Sequence, residues 1–177
     1  RAPLFRSSEA TPIVVHGTMY LPTAYGTILA LEPETGKKLW SFRLDRGRPA
    51  TRGVAYWPGD RQSPAAILFG TSDGRMISLN AATGKLTPGF GDGGIVDLKP
   101  GVMNGYDKGQ YGESSPPTIY KNLVIFGSQL QESPERGPSG DIRAWDMHTG
   151  KLVWQFHTVP HPGEPGNETW PADGWKA

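Results

Sequence analysis

The sequence predicts an all-β fold, a partial β-propeller of about three four-stranded antiparallel blades. The first observation is a phrase centred on Thr-Gly-Lys that occurs three times, at residues 31–40, 79–86 and 145–154. Each copy follows a short apolar segment, and its glycine suits the positive-φ position that closes a hairpin. The second observation is composition, since 24 Gly and 17 Pro among 177 residues indicate many turns. A hairpin phrase that recurs at an irregular spacing of about 50 residues is typical of a propeller with one sheet per copy.

Apolar runs of strand length, too short for helices, define the blades in chain order. The first blade is expected at 11–44, with strands at 12–15, 18–21, 27–31 and 38–42. The second is expected at 53–90, with strands at 54–57, 66–70 and 76–79 and a weak fourth strand after Lys85. The third is expected at 117–158, with strands at 117–120, 123–128, 141–145 and 152–157.

The remaining segments are predicted to be loops and a connector. Residues 91–113 and 129–140 interrupt the repeat, and 159–177 form a proline-rich connector. Because a propeller ring needs at least four blades, residues 1–177 are expected to be part of a single, longer propeller domain. The chain begins at Arg1 without an initiator methionine, which agrees with an excised piece.

Two tryptophans stand at the same place after the repeated phrase, Trp40 in the first copy and Trp154 in the third. Their equal spacing from Thr-Gly-Lys predicts packing of one blade against the next, because packing contacts recur with the blade and active sites do not. The second copy lacks this tryptophan, and Phe90 is the candidate replacement.

Composition excludes several classes of function. A formal net charge of +1 gives no indication of a nucleic-acid partner. The absence of cysteine excludes disulfides, thiolate metal sites and cysteine nucleophiles within this chain. No apolar stretch reaches the roughly 18 residues that a membrane-spanning helix needs.

Four further segments, together with the repeat, resemble the pyrroloquinoline quinone (PQQ) dependent dehydrogenases. The Thr-Gly-Lys-x-x-Trp phrase is similar to the inter-blade docking motif of that superfamily. The other matching segments are residues 8–12, the Arg-Gly-x-x-Tyr-Trp segment at 52–57, residues 114–117 with 123–128, and residues 157–171. The resemblance covers nearly the whole chain, and it implies a fragment of an eight-bladed propeller.

Within that superfamily, the Gly-Phe-Gly-Asp-Gly-Gly segment at 89–94 resembles the glucose dehydrogenase-like branch. The alcohol dehydrogenase branch carries a vicinal cysteine pair shortly before its Arg-Gly segment, where this chain has residues 47–51 and no cysteine. This departure favours the glucose dehydrogenase-like branch.

The resemblance also implies the residues of a cofactor site. Glu9 and Ser114 would hydrogen bond to PQQ, and Arg52 would bind one of its carboxylates. A guanidinium suits this role because it can pair with a carboxylate through two bonds. Gln129 falls at a further polar contact, and Glu132 falls at the Ca²⁺ ligand position, with Glu135 as its rival.

Each of these residues has an ordinary structural alternative. Glu9 and Glu132 could be solvated surface carboxylates, Arg52 could stack on Tyr56 or Trp57, and Ser114 could cap a turn. His157 and His161 are four residues apart, but an extended segment does not bring that spacing onto one face, so metal binding there is disfavoured.

The function implied by the resemblance is oxidation of a sugar or alcohol hydroxyl, with hydride transfer to PQQ and Ca²⁺ as a Lewis acid. The catalytic Asp is expected in later blades, so this chain alone is expected to have no turnover. A respiratory acceptor, either a haem protein or a quinone, and a periplasmic location are implied in the same way. The alternative is a non-catalytic propeller that serves as a scaffold or interaction module.

Overall fold

The computed structural model describes residues 8–131, 133 and 136–176 and confirms the predicted antiparallel sheets. The first sheet has the order β1 to β4, with strands Ile13–Val15, Thr18–Pro22, Thr27–Leu31 and Lys38–Arg43. The second has the order β5 to β8, with strands Ala55–Trp57, Ala66–Gly70, Arg75–Asn80 and Ile95–Asp97. The third sheet joins Thr118–Tyr120 (β10), Leu123–Phe126 (β11), Ile142–Asp146 (β13) and Leu152–Phe156 (β14). A separate two-stranded ladder pairs Tyr111–Gly112 (β9) with Gln129–Leu130 (β12).

The fourth strand of the second sheet lies later in the chain than the sequence predicts. After Lys85, Leu86 makes only an isolated bridge to Leu79, and the strand that pairs with β7 is β8. The segment between them turns away through Thr87 and Phe90, whose backbone amides bond to Ser78 and Thr87. The segment expected as a loop at 91–113 therefore contains the outer strand of the second sheet.

The three Thr-Gly-Lys turns have the same geometry. Gly36, Gly84 and Gly150 have φ angles of 71°, 69° and 68°. Each of their amides bonds to a carbonyl four residues earlier, at 2.8, 2.9 and 2.8 Å. In the second and third turns a side chain adds to the backbone bonds, because Asn80 Oδ1 and Asp146 Oδ1 each accept two amide hydrogens. The predicted hairpin turns are thus formed by short-range hydrogen bonds.

Two apolar clusters lie on the two faces of the second sheet. In β6, Ile67 and Phe69 belong to the cluster shared with the first sheet, whereas Ala66 and Leu68 belong to the cluster shared with the third. All five residues of this strand are buried, whereas β3 alternates between buried and half-buried positions. This is the expected result of a period-two strand that is covered on both faces.

An aromatic ring joins the first sheet to the second. Trp40 Nε1 donates to the Ala81 carbonyl at 2.9 Å, and the Tyr20 hydroxyl donates to the same oxygen at 3.2 Å. The Trp40 ring lies over Gly84, where an added Cβ would come within 2.5 Å of it.

The second and third sheets meet through other groups. The Gly91 amide donates to the Thr149 carbonyl at 2.9 Å, and an added Cβ at Gly150 would meet the Gly91 nitrogen at 2.7 Å. Trp57 Nε1 donates to the Lys121 carbonyl at 3.0 Å. Phe90 is fully buried in the apolar cluster shared by the second and third sheets.

Among the described residues, the only helices are two 3₁₀ turns of three residues each, Asn167–Thr169 and Gly174–Lys176. None of the described residues forms a helix long and apolar enough to cross a membrane.

Candidate functional site

The site is built from the segments that enter the first strand of each sheet. Glu9, Arg52 and Ser114 precede β1, β5 and β10, respectively, so they occupy similar places in three successive sheets. Backbone bonds run sideways between these segments, from the Thr11 amide to the Arg52 carbonyl and from the Arg52 amide to the Ser114 carbonyl, both at 3.1 Å. The ladder places three side chains that are far apart in sequence on one edge.

Arg52 is the centre of this arrangement. Its Nη1 donates to Ser114 Oγ at 3.3 Å and to Ser115 Oγ at 3.1 Å, and its Nε lies 3.7 Å from Glu9 Oε2. The Arg52 side chain remains 58% exposed, so the guanidinium is held in place and still open to a ligand. The rings on which it could have stacked have other neighbours, since Tyr56 stacks with Tyr20 and Trp57 contacts His148.

The other predicted residues lie close by or outside the described part. Gln129 is exposed, and in the β9–β12 ladder it pairs with Gly112, which precedes Ser114 by two residues. Glu132 and Glu135, the two candidate metal ligands, lie outside the described residues. Within the part of the chain that is described, no three His, Asp or Glu side chains form a group that could hold a metal ion.

A cavity of about 220 Å³ opens beside the two serines. It is lined by Glu113, Ser114, Ser115, Pro116, Phe126, Gly127 and Ser128. Two of its polar atoms, Glu113 Oε1 and Ser128 Oγ, are buried and have no hydrogen-bond partner among the described residues. Native structures satisfy nearly all buried polar atoms, so these two mark a place suited to a polar ligand.

The electrostatics of the cavity are dominated by burial. Removal from water raises the pKa of Glu113 to about 8, and the positive charge of Arg143 opposes this shift without cancelling it. Burial also raises the pKa of Tyr111, whose hydroxyl accepts a hydrogen bond from Arg143 Nη2 at 2.6 Å. The cavity wall therefore carries a neutral carboxyl at pH 7, with the neutral Tyr111 phenol and the Arg143 guanidinium close behind it.

The two histidines near the chain end form a different kind of contact. The His157 and His161 rings stack with centroids 3.7 Å apart and planes 10° from parallel. Stacked rings direct their nitrogen lone pairs sideways, so the pair does not converge on one ion. Glu164 holds both residues, since it contacts His157 Nδ1 at 2.8 Å and accepts the His161 amide at 2.7 Å.

Sequence reasoning missed two residues of this candidate site, Ser115 and Glu113. Ser115 bonds to Arg52 at a shorter distance than the predicted Ser114 does. Glu113 becomes special only through burial against the second and third sheets. The one signal available in the sequence was that both flank Ser114 within the Gly-Glu-Ser-Ser-Pro-Pro segment.

Comparison with known protein families assigns this architecture. All 177 residues match the family model described as PQQ, glucose/ethanol/alcohol dehydrogenase, beta-propeller domain. The chain belongs to the PQQ dehydrogenase family. The resemblance expected from the repeat and the Arg-Gly-x-x-Tyr-Trp segment is thereby confirmed.

Relatives of this family match the chain along most of its length. The dehydrogenase subunit of the quinone alcohol dehydrogenase from Gluconobacter oxydans (strain 621H) is 37% identical over 166 residues, which is 89% of this chain and 20% of that protein. Quinoprotein glucose dehydrogenase A from Acinetobacter calcoaceticus is 31% identical over 175 residues, which is 86% of this chain and 22% of that protein. The chain thus spans about a fifth of the length of these PQQ dehydrogenases.

A solved structure of the family has the same fold. The quinohemoprotein alcohol dehydrogenase from Comamonas testosteroni superposes with a TM-score of 0.68 at 30% identity, covering 93% of this chain and 23% of that one. The three sheets described above are therefore part of a PQQ dehydrogenase propeller.

Proposed function

We propose that the chain forms part of the cofactor site of a PQQ-dependent dehydrogenase that oxidises a sugar or alcohol hydroxyl. One observation carries this proposal: Arg52, fixed by two serine hydroxyls and Glu9, lies beside a cavity with unpaired buried polar atoms. PQQ is a tricarboxylic quinone, and a fixed guanidinium with neighbouring hydroxyls is a suitable donor set for a carboxylate.

Each residue of the edge has a separate task in this proposal. Arg52 binds a cofactor carboxylate, and Glu9 and Ser115 restrict its side chain so that less freedom is lost on binding. Ser114 can turn its hydroxyl from Arg52 to the ligand, and Gln129 adds an exposed amide on the neighbouring ladder. Together they bind and orient the cofactor.

The chemistry of oxidation belongs to the cofactor and to other parts of the enzyme. Bound PQQ supplies a quinone that accepts hydride, while the protein contributes orientation and charge. We assign the Ca²⁺ of the site to Glu132, with Glu135 as the alternative, and the general base to an Asp in another blade. The isolated chain is then expected to show no turnover.

The third sheet supplies the argument for further blades. Its outer face carries a group of exposed large apolar side chains: Tyr120, Ile142, Leu152, Trp154 and Phe156. A contiguous apolar face of this kind calls for a covering element, and Trp154 stands where Trp40 stands in the first sheet. We propose that the next blade of a longer propeller covers it. A periplasmic location and transfer of electrons to a haem protein or membrane quinone complete the proposal.

The test uses the complete protein that carries this chain, prepared without cofactor and then supplied with PQQ and Ca²⁺. Reduction of an artificial dye is followed with a panel of sugars and alcohols, and PQQ binding is titrated separately. Arg52→Ala should weaken PQQ binding by at least a hundredfold, because charge-assisted bonds to a carboxylate are lost. Arg61→Ala, which removes an exposed arginine of the same sheet region, is the matched control.

Three outcomes are informative. Dye reduction that needs both PQQ and Ca²⁺ supports the proposal, and the panel then names the substrate class. PQQ binding that survives Arg52→Ala would remove Arg52 from the site. Absence of both PQQ binding and dye reduction would instead favour a non-catalytic propeller that acts as a scaffold.

A further inference from the structure

The cavity beside Ser114 contains a carboxyl group that the arrangement around Arg52 does not explain. Glu113 is only 5% exposed, and its Oε1 is buried without a hydrogen-bond partner in the part of the chain that the structure describes. Leaving a buried polar atom unpaired is costly, and a surface glutamate could rotate into water to avoid this cost. Glu113 is held in its buried position by the second and third sheets, which pack against its side chain.

Two sheets make the space for this side chain. A Cβ added to Gly70, on β6, would collide with Glu113, and Phe126 on β11 lies on the other side of the same gap. The Glu113 amide is fixed by a bond to the Thr71 carbonyl at 3.0 Å. Because Gly70 lacks a side chain, the carboxyl can lie between the second and third sheets and face the cavity.

The charged and titratable neighbours of Glu113 are few. Arg143 on β13 acts on it through charge, but its guanidinium donates to the carbonyls of Leu98 and Pro100 and to the Tyr111 hydroxyl. Tyr111 on β9 faces the carboxyl as a neutral phenol. The β6 and β11 sides contribute Gly70 and Phe126, which carry no charge. No protein group on these elements therefore pairs with Oε1.

Ser128 provides a second unpaired donor in the same cavity. Its hydroxyl is buried and lies near enough to Tyr111 to lower that phenol's pKa, yet it has no hydrogen bond of acceptable geometry to any described residue. The cavity thus holds two buried oxygens, from two strand ends, that have hydrogen-bonding capacity left over. At neutral pH both can donate, because burial keeps the Glu113 carboxyl protonated.

We propose that Glu113 and Ser128 are additional PQQ-binding residues, and that Glu113 binds as the neutral acid, donating a hydrogen bond to an oxygen of the cofactor. This inference rests on the proposed function. The periphery of PQQ is rich in carboxylate and carbonyl oxygens, which accept hydrogen bonds and repel a second carboxylate. A glutamate in this cavity can donate a hydrogen bond to these oxygens only when it is protonated. Its burial against Gly70 and Phe126 favours the protonated form.

The test is PQQ binding as a function of pH, measured by equilibrium dialysis on the complete, cofactor-free protein at constant Ca²⁺. Wild type should lose about tenfold in affinity between pH 7 and pH 9, because the proton must be retained on binding and the free group titrates near 8. Glu113→Gln keeps an N–H donor and has no charge, so its affinity should match wild type at pH 7 and stay level to pH 9. Glu113→Ala and Ser128→Ala should each bind about tenfold more weakly at pH 7.

Two controls separate failure of this inference from failure of the proposed function. Glu34→Gln, at an exposed position in the first Thr-Gly-Lys turn, should leave the pH profile of wild type unchanged. Arg52→Ala reports on the cofactor site itself. If Arg52→Ala loses binding while Glu113→Gln keeps the wild-type slope and Glu113→Ala keeps the wild-type affinity, the inference is overturned. If wild type does not bind PQQ, both the proposed function and the inference fail.

Discussion

At the Thr-Gly-Lys turn, the first and second sheets meet through an aromatic ring, whereas the second and third sheets meet there through backbone. In the first interface Trp40 covers Gly84 and bonds to the Ala81 carbonyl. In the second interface the glycine at the same place, Gly150, faces Gly91 and Val96, and the Gly91 amide bonds to the Thr149 carbonyl. Both interfaces use the same position of a Thr-Gly-Lys turn, but a tryptophan ring contacts it in the first interface and backbone contacts it in the second.

The difference follows from what comes after each Thr-Gly-Lys. In the first repeat the chain enters β4 at once and brings Trp40 to the interface. In the second repeat it turns away through Thr87 and Phe90 and forms its outer strand only at Ile95. The detour places backbone at the interface where the first repeat places a ring. The repeated turn thus sets the position at which neighbouring sheets meet. The segment after the turn determines whether a side-chain ring or the backbone makes the contact.

Alanine substitutions at the three turn glycines give the largest expected effects and test this comparison directly. The three positions have nearly equal positive φ, which costs an alanine about 1–2 kcal/mol at each. At Gly36, no atom of the described residues lies within 4 Å of an added Cβ, so Gly36→Ala should cost no more than this. Gly84→Ala must displace the Trp40 ring, and Gly150→Ala must displace the Gly91 backbone, so we expect about 2–3 and about 3–5 kcal/mol.

Urea unfolding of the 177-residue chain measures these costs, with Gly36→Ala as the matched control for backbone strain alone. Equal losses in all three variants would show that contacts across the sheets do not contribute. The complete protein sharpens the comparison further. If the ring closes so that another blade covers Gly36, the Gly36→Ala variant should become as costly there as Gly84→Ala is here.

The pH dependence contributed by Glu113 is the next largest effect, and it belongs to the second interface. Since the pKa of this carboxyl is raised to about 8 in the folded chain, the folded state holds a proton that the unfolded state releases above about 4.5. The contribution of Glu113 to the free energy of unfolding is therefore greatest below about pH 4.5. It falls as pH rises towards 8, by about 1.4 kcal/mol per pH unit at the steepest. By pH 7 the loss is of the order of 3 kcal/mol.

Glu113→Gln should remove this slope and raise the free energy of unfolding at pH 8 relative to wild type. The measurement is urea unfolding at pH 5, 6, 7 and 8, with Glu34→Gln as the exposed control. A wild-type chain whose stability does not change between pH 5 and pH 8 would contradict a neutral Glu113.

The smallest effect concerns the polar contact at the rim of the second interface. Asp60 Oδ2 lies 2.8 Å from His148 Nε2, which joins a loop of the second sheet to the third turn. The amide of Gln62, followed by His148 and Ser63, stabilises the carboxylate and lowers the pKa of Asp60. A lowered pKa contributes stability above the ordinary value near 4 that is lost as pH falls through the folded value.

Asp60→Asn should therefore lower the free energy of unfolding slightly at pH 5 and above and leave it nearly unchanged at pH 3, so that stability depends less on pH in the acid range. The midpoint of urea unfolding between pH 3 and pH 5 measures this, and Asp107→Asn, at an exposed loop position, is the control. If both variants follow the wild-type acid limb, the contact between Asp60 and His148 adds nothing to the interface.

Local features of the chain were readable from the sequence because they depend on short-range bonds. The Thr-Gly-Lys turns are closed by bonds across four or five residues, and the strands that flank them keep their period of two. The family was readable for the same reason, because its motifs are continuous segments such as the one at residues 52–57. The position of β8 could not be predicted from the sequence, because the second repeat lacks the tryptophan that would mark its outer strand.

The sequence by itself thus determined the all-β class and the turns, and it singled out Arg52 and Ser114 as candidate site residues. Only the tertiary structure brought these two side chains together across 62 positions, through a backbone ladder between neighbouring sheets. It alone also made Glu113 a buried, neutral acid, because Gly70 and Phe126 that enclose it come from other strands. A turn is set by its own residues, whereas the charge state of a carboxyl is set by whatever the fold packs around it.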